Sequence, residues 1–245
     1  MTRSLSLTSL VLILVCILSC SSAQKRDTYR VEIDLSAVTD DRLTIEILLP
    51  EINRDSLEFR LPDYVPGAYR SYEYGELIER FEVFDVDGSL LQSSRSGPNA
   101  FLIPQSSKVR RITYDINDVW DYGSDSEVLA RMFGQDTGLQ IALDPTGTSF
   151  IEDSAFLLNF GAIIGHIESY LSTPIELNIK RPQYFFGATS LEKTSTTDTD
   201  DTYLVNDYYA LIDGPIMYCR PDTVSTVVDG QVYHIATYSG SDTNR

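Results

Sequence analysis

The sequence is poor in the residues that hold metals and close disulfides. It has 245 residues but only two histidines, His166 and His234, and three cysteines. Cys16 and Cys20 lie in an apolar N-terminal stretch, so a mature chain without that stretch keeps Cys219 alone and closes no internal disulfide. Zincins place two histidines one helical turn apart in a His-Glu-x-x-His motif, which the sequence does not contain. We therefore predict no metal site and no cofactor site in this chain, and structural roles for both histidines.

The sequence also lacks the motifs of nucleophilic and phosphate chemistry. It has no Gly-x-Ser-x-Gly elbow and no glycine-rich phosphate loop. Cys219 has no histidine or cationic cluster near it in sequence, so we expect an inert, buried thiol. The run His166-Ile167-Glu168 has a spacing found in zinc deaminases, but their Pro-Cys-x-x-Cys partner is missing. We therefore predict no catalytic residue in this chain.

Cations are scarce relative to acids. The chain has 19 Lys and Arg against 36 Asp and Glu, a formal net charge of -17 at pH 7. Phosphate backbones and anionic lipid surfaces repel such a chain, so nucleic acid and an anionic membrane surface are excluded as partners. An acidic surface attracts cationic peptides, but in an exported protein it more often serves solubility.

Long hydrophobic runs are absent, and the apolar stretch that matters lies near the N-terminus. Arg3 precedes the run Leu10–Leu18, which is too short to cross a bilayer comfortably as a helix. This pattern predicts an export signal over residues 1–23. No later run is apolar for long enough to span a membrane. We therefore expect an exported protein, either periplasmic, secreted or held at the outer membrane by an N-terminal lipid.

Two cleavage sites compete within this signal. Small residues, Ser21-Ser22-Ala23, precede Gln24 and suit an ordinary signal peptidase. The run Ile17-Leu18-Ser19-Cys20 instead resembles a bacterial lipobox, whose cysteine is acylated after cleavage. In the second case Cys20 is the lipidation site and the lipid is the only membrane contact.

Apolar and polar residues alternate through much of the remaining chain. A period of two places the apolar side chains on one face of a half-buried strand. The alternation is found in six segments: 29–35, 43–49, 57–61, 112–116, 175–179 and 232–237. Another strand begins near Phe81 and ends at Asp87-Gly88, a pair typical of tight turns. We predict an all-β fold, an antiparallel two-sheet β-sandwich that forms one domain over residues 27–238.

Helical signals are few. Residues 76–81 are a candidate helical turn, and residues 125–133 are a candidate short helix capped by Asp125 or Ser126. The sandwich is therefore expected to carry one or two short helices. The polar stretch Thr194–Thr202 is instead typical of an exposed hairpin tip.

Four tyrosines surround a Pro-Gly turn at 66–67. They are Tyr64, Tyr69, Tyr72 and Tyr74. Rigid amphipathic rings on a loop are typical of ligand-contacting surfaces, so one interpretation is a rim that contacts substrate. The other interpretation is that the rings pack the loop onto the sandwich. The sequence does not decide between the two.

Acids cluster around Trp120. Asp115, Asp118, Asp121 and Asp125 are dense enough to suggest a hard cation such as calcium. Their spacing is not that of an EF-hand, and alternate positions of an extended segment point to opposite faces. A solvated acidic loop above a packed Trp120 is the favoured interpretation, and calcium binding by the segment 115–125 stays open.

Six segments in a fixed order carry a resemblance to a known family. They are Leu61-Pro62-Asp63-Tyr64-Val65-Pro66-Gly67-Ala68-Tyr69 and the segments 81–88, 112–121, 157–159, 186–191 and 207–218. From about Tyr29 to Tyr238 the chain resembles the N-terminal domain of metallopeptidase family 61, the glycyl aminopeptidase family, of the bacterial exported type. Within these segments Tyr64 stands where many relatives carry Trp or an aliphatic residue, and Tyr72 where some carry Arg.

The resemblance implies a domain order. Members have a leading β-sandwich, a thermolysin-like zinc domain with His-Glu-x-x-His and often a trailing PDZ-like domain. This chain resembles the first part only, so none of the family's zinc ligands and no catalytic glutamate has a counterpart in it. Zinc is expected in a catalytic domain outside this chain, and the polar residues 239–245 are expected to begin the linker to that domain.

Two functions from different classes follow. The first is the non-catalytic N-terminal domain of an exported zinc metallo-aminopeptidase. In that role the chain helps to form the substrate cleft of the full-length enzyme, has the catalytic domain of the same protein as its partner, and is inactive alone. The second is a free-standing secreted or lipid-anchored β-sandwich binding module without peptidase activity. The polar, linker-like end of the sequence favours the first function.

Overall fold

The computed structural model describes residues 28–65, 71–118 and 147–238. Its strands in chain order are β1 (Tyr29–Asp34), β2 (Arg42–Leu48), β3 (Ser56–Arg60), β4 (Ile78–Asp85), β5 (Leu90–Leu91), β6 (Ser94–Gly97), β7 (Ala100–Pro104), β8 (Val109–Asn117), β9 (Ser149–Ile151), β10 (Ala155–Leu158), β11 (His166–Ile167), β12 (Ile175–Lys180), β13 (Phe186–Ala188), β14 (Lys193–Thr196), β15 (Asp200–Val205), β16 (Ile216–Cys219), β17 (Asp222–Val228) and β18 (Gln231–Thr237). The described helices are two short α-helices, α1 (Phe160–Ile163) and α2 (Tyr208–Ile212), and four 3-10 turns at Leu35–Ala37, Tyr74–Leu77, Ser106–Lys108 and Glu168–Tyr170. The predicted all-β fold with short helices is confirmed.

The described strands form one large sheet, two smaller sheets and a separate hairpin. The large sheet has eight strands in the order β14-β15-β12-β1-β2-β8-β4-β5. The smaller sheets are β13-β16-β10-β9 and β11-β3-β7-β6, and the hairpin is β17-β18. The alternating sequence pattern becomes alternating burial: in β1, for example, Tyr29, Val31 and Ile33 are buried while the residues between them are half-buried.

The large sheet is not wholly antiparallel. β1 pairs with β12 in parallel, with Tyr29 opposite Ile175 and Asp34 opposite Lys180, whereas its other neighbour β2 runs antiparallel. A parallel pair requires a long crossover, and here most of the domain lies between the two strands. Alternation predicts that a segment is a strand but not the direction of its partner, which is why the prediction missed this pair.

One core lies between the large sheet and the two smaller ones. The rings of Phe59, on β3, and Tyr114, on β8, have centroids 5.8 Å apart. The buried Tyr114 hydroxyl donates to the carbonyl oxygen of Ile163 at 2.7 Å, which joins the large sheet to α1. On the other side, the hydroxyls of Tyr203 and Tyr218 lie 3.0 Å apart. The two smaller sheets therefore act together as the second layer of the sandwich.

One predicted helix is wrong. Residues 76–81 do not form a helical turn: the 3-10 turn covers Tyr74–Leu77, and the chain enters β4 at Ile78. Ile78 and Val83 are buried where β4 pairs with β8, so tertiary packing outweighs the local helical tendency. The other candidate, residues 125–133, lies outside the described residues.

A buried ion cluster holds the hairpin β14–β15. Asp201 is 1% exposed, and its carboxylate accepts from Arg181 Nε, Lys193 Nζ and the Tyr218 hydroxyl, each at 3.0 Å, and from Thr196 Oγ1 at 2.6 Å. Burial acts to raise the pKa of Asp201, but hydrogen bonds from Thr196, Arg181 and Lys193 outweigh burial and lower this pKa. The predicted hairpin is present, but its turn covers only residues 197–199, and Asp201, within the stretch 194–202 that was expected to be exposed, is buried in this cluster.

The described residues contain no helix that is both long and apolar enough to cross a bilayer. The predicted signal at residues 1–23, the lipidation candidate Cys20 and the predicted linker at residues 239–245 all lie outside the described residues.

Candidate functional site

A cavity of about 500 Å³ opens at the end of β3. Three parts of the chain contribute its walls: the residues at and after the end of β3, the segment from β11 to Leu171, and α2. The lining side chains are Arg60, Pro62, Asp63, Tyr64, Val65, His166, Glu168, Leu171, Tyr208, Tyr209 and Ile212. Tyr64 and Tyr209 are 68% and 59% exposed, so each offers a largely free aromatic ring to a ligand.

Asn99 fixes the chain on both sides of the segment 64–74, which carries the four tyrosines and which we call the tyrosine loop. It is 2% exposed, and its Nδ2 donates to Asp63 Oδ1 at 2.8 Å and to the Tyr72 carbonyl oxygen at 2.6 Å. Its Oδ1 accepts from the Gly75 amide at 2.8 Å. A Cβ on Gly75 would lie 2.3 Å from the carbonyl oxygen of Pro98, so only glycine allows this approach. The cavity wall at Asp63 is therefore anchored to the core.

The four tyrosines of the proposed rim lie in different environments. Tyr72 and Tyr74 are 2% and 0% exposed, and their rings stack with centroids 4.8 Å apart. These two residues therefore do not belong to a rim, because burial removes them from any ligand, and the packing interpretation is correct for them. Tyr64 is exposed and lines the cavity, while Tyr69 lies outside the described residues.

His166 contributes a buried imidazole to the cavity wall. Its ring lies 4.6 Å from the ring of Tyr208, and its Nε2 is 3.7 Å from Glu168 Oε2, too far for a hydrogen bond. Burial lowers the pKa of His166 to about 4, although the nearby Glu168 carboxylate opposes this shift. The Nδ1 atom is buried and has no hydrogen-bond partner among the described residues. The imidazole is therefore neutral at pH 7.

The charges at the cavity are two acids and one base. Arg60 lies 2.7 Å from Asp63 and 3.7 Å from Glu58, so its charge is shared between two carboxylates. The Glu168 side chain is 81% exposed. With His166 neutral, this arrangement favours a ligand that carries hydrogen-bond donors or a positive charge. Neither lining acid forms a hydrogen-bonded pair with the imidazole.

The described residues do not bring together a set of zinc ligands. No three His, Cys, Asp or Glu side chains group closely enough to hold a metal within residues 28–65, 71–118 and 147–238. His234, the other histidine, lies on β18, where its Nδ1 is 2.7 Å from the Ser225 hydroxyl.

Two of the four clustered acids can be located. Asp115 Oδ1 accepts from Thr44 Oγ1 and from Arg80, each at 2.7 Å. Asp118 is 3% exposed and accepts from the Phe150 amide at 2.8 Å. Both carboxylates thus make bonds that join strands of the fold. Asp121 and Asp125, with Trp120 between the two pairs, lie outside the described residues.

Cys219 is a free, fully buried thiol at the end of β16. Burial raises the pKa of this thiol, which favours the unreactive protonated form. The expectation of an inert thiol agrees with this environment.

Sequence reasoning found Tyr64 but missed most of the cavity. Asp63, His166 and Tyr208 are far apart in the chain and meet only because β11 pairs with β3 and α2 packs beside them. The Tyr208 hydroxyl donates to the Ile164 carbonyl oxygen at 2.6 Å, which holds α2 against the segment that leads into β11. No local sequence pattern predicts that these three residues lie together.

The comparison with protein families matches this chain to the peptidase M61 N-terminal domain over residues 30–220. The matched residues include every side chain that lines the cavity. They end just before the hairpin β17–β18. No curated protein sequence matches this chain.

A solved structure shares the fold. An aminopeptidase N family protein from Idiomarina loihiensis is similar with a TM-score of 0.71 at 16% identity, over 86% of this chain and 32% of that chain. An M1 zinc metallopeptidase from Deinococcus radiodurans has a TM-score of 0.42 at 10% identity, over 84% of this chain and 45% of that chain. This chain therefore spans about a third of the length of the first protein and under half of the second.

Proposed function

Because this chain belongs to the peptidase M61 N-terminal domain family, we propose that it is the non-catalytic N-terminal domain of an exported zinc metallo-aminopeptidase of the glycyl aminopeptidase type. The family match over residues 30–220 is the observation that carries the proposal. The sequence supports the non-catalytic part, because it has two histidines and no His-Glu-x-x-His motif. Zinc then belongs to the catalytic domain of the same protein.

The cavity beside Tyr64 is the part of this domain that we assign to the substrate cleft. Its support is the exposed ring of Tyr64, the carboxylates of Asp63 and Glu168, and the rigid anchoring of the wall by Asn99. A peptide substrate carries a positively charged amino group and many donors, which suit an acidic, aromatic wall. The domain then shapes and orients the substrate, while the catalytic domain performs the hydrolysis.

Export is proposed from the N-terminal sequence alone. The run Leu10–Leu18 supports a signal, and Cys20 is the residue that a lipid would modify. Mass spectrometry of the mature protein from a bacterial host tests this: an N-terminus at Gln24 indicates a signal peptidase, and an acylated Cys20 indicates a lipoprotein. An intact Met1 in the exported fraction contradicts both.

The reading frame beyond Arg245 tests the function itself. We expect the gene to continue into a domain that contains His-Glu-x-x-His. A stop codon at that point contradicts the proposal and favours a free-standing binding module. The 245-residue chain, incubated with zinc, is expected not to cleave glycyl or alanyl chromogenic peptides, and turnover that chelators abolish would contradict its inactivity.

The role of the cavity is tested in the complete enzyme with Tyr64→Ala. Loss of an exposed aromatic contact weakens the binding of the substrate and of the transition state equally. KM should therefore rise about three- to tenfold with kcat unchanged. Tyr184→Ala is the matched control, because Tyr184 is 72% exposed and does not line the cavity. Equal kinetics for Tyr64→Ala and the unmodified enzyme would remove Tyr64 from the cleft.

A further inference from the structure

The hairpin β17–β18 stands apart from the rest of the fold. Its strands pair only with each other among the described strands, in register from Asp222 opposite Thr237 to Val228 opposite Gln231. Asp229 and Gly230 turn the chain with φ of 50° and 81°, the conformation of a two-residue type I′ turn. All of β17 is exposed, and so is β18 except for the half-buried Ala236. The hairpin is thus well formed but uncovered.

One face of this hairpin carries four large apolar side chains. Residues that lie directly opposite each other share a face, so Val224 and Ile235 lie together, next to Tyr233 and Val228. We call these four residues the hairpin face. They are 58%, 52%, 52% and 51% exposed in that order. The opposite face carries the hydrogen-bonded pair Ser225 and His234 and a smaller apolar pair, Val227 and Val232, which are 64% and 58% exposed.

An uncovered hairpin of this kind contributes little stability to an isolated domain. A two-stranded ribbon is marginal in water unless a further strand or layer covers it. Four large apolar side chains on one exposed face are typical of an interaction surface. Strand edges with free backbone groups add a second means of docking, by sheet extension.

We propose that the hairpin face docks onto the peptidase domain that follows this one, so that β17–β18 is built into the interdomain interface. The inference rests on the proposed function. Asp222, the first residue of the hairpin, lies immediately beyond the matched residues 30–220 and the short link that follows them. In the Idiomarina loihiensis protein, 68% of the chain lies outside the match, since the match covers 32% of it.

Charge favours this occupant over a second copy of the chain. Each chain has a formal net charge of -17, so two copies joined face to face repel each other. The hairpin itself has two acids, Asp222 and Asp229, and no lysine or arginine. Its four-residue face is uncharged and suits an apolar surface of another domain.

The test compares the 245-residue chain with the complete product of its reading frame. Hydrogen exchange is measured by mass spectrometry for peptides from β17 and β18. We expect exchange there to be at least about tenfold slower in the complete protein, because docking suppresses local opening of the hairpin. Equal exchange in the two proteins overturns the inference.

Substitutions supply the second arm. Val224→Lys combined with Ile235→Lys should leave the Tm of the 245-residue chain unchanged, because both side chains are exposed there. The same pair should lower the Tm of the complete protein by several degrees and restore fast exchange in the hairpin. Ser225→Lys, on the opposite face, is the matched control and should change neither protein. If the Lys pair and the Ser225→Lys control give the same Tm and the same hairpin exchange, the inference is overturned.

The outcomes separate the inference from the proposed function. A reading frame without a peptidase domain defeats both. A frame with the domain but with unchanged hairpin exchange defeats only the docking inference. Light scattering of the 245-residue chain gives a further outcome. If it shows a dimer that the Lys pair dissociates, the hairpin face binds a second copy and the docking inference is overturned.

Discussion

Asn99 and Asp63 are 36 positions apart in the chain, yet Asn99 Nδ2 donates to Asp63 Oδ1 at 2.8 Å. The same side-chain amide bonds the backbone of Tyr72 and Gly75, so one buried side chain ties both ends of the tyrosine loop to the start of β7. Removing a buried amide that makes three hydrogen bonds lowers the free energy of unfolding, because its partners remain buried without hydrogen bonds. The shape of the cavity wall therefore depends on Asn99.

Asn99→Ala should destabilise the domain by about 1–3 kcal/mol, because it removes three buried hydrogen bonds and leaves the Gly75 amide without this acceptor. Urea unfolding followed by circular dichroism measures the change. Ser96→Ala is the control, since the exposed Ser96 makes one surface hydrogen bond to Glu58 at 3.2 Å. A loss for Asn99→Ala no larger than the control's would contradict the anchoring role.

The buried carboxylate of Asp201 allows a second prediction. Asp201→Ala leaves Arg181 and Lys193 without their common carboxylate, and Arg181 is only 9% exposed at its side chain. Removing one partner of a buried ion pair typically costs about 3–5 kcal/mol. Asp198→Ala, on the exposed tip of the same hairpin, should cost less than about 0.5 kcal/mol. Denaturant midpoints of the two variants measure the difference, and similar midpoints would show that the cluster contributes little.

The sequence allowed prediction of much of the fold but little of the cavity. β1, β2 and β12 follow from the alternation of apolar and polar residues, because one face of each strand is buried. The parallel pairing of β1 with β12 does not follow from the alternation, because a strand has the same alternating pattern whether its neighbour runs parallel or antiparallel. Tyr64 and Tyr72 look alike in sequence, and only the tertiary packing leaves one exposed and buries the other.

Cys219 should be protected from thiol reagents. It is fully buried and its thiol pKa is raised by burial, so reaction requires the domain to open. In a Cys16→Ser, Cys20→Ser background, the folded chain should react with a disulfide reagent at least about 100-fold more slowly than the chain in denaturant. Absorbance of the released thiolate measures both rates. Comparable rates would show that Cys219 is accessible in the folded domain.

His166 makes the stability of the domain depend on pH. Its pKa is lowered from 6.5 to about 4 in the folded state by burial, so between these values the unfolded chain binds a proton that the folded chain does not. Stability therefore falls as the pH decreases from 6.5 to about 4, by up to about 3 kcal/mol over that range. Urea midpoints measured at half-unit steps from pH 7.5 to pH 4.5 should show this decline.

His166→Asn separates the titration of the imidazole from its packing. The variant should be less stable than the unmodified chain at pH 7.5 and should lose most of the decline between pH 6.5 and 4.5, because asparagine does not titrate there. His234→Asn, on the exposed hairpin, should keep the decline. The lowered pKa of Asp201 places its own loss of stability at the acid end. Burial raises the pKa of Glu32, which adds an opposite trend in the same window, so the difference between His166→Asn and the unmodified chain isolates the contribution of His166. An unchanged decline in His166→Asn would mean that other groups produce it.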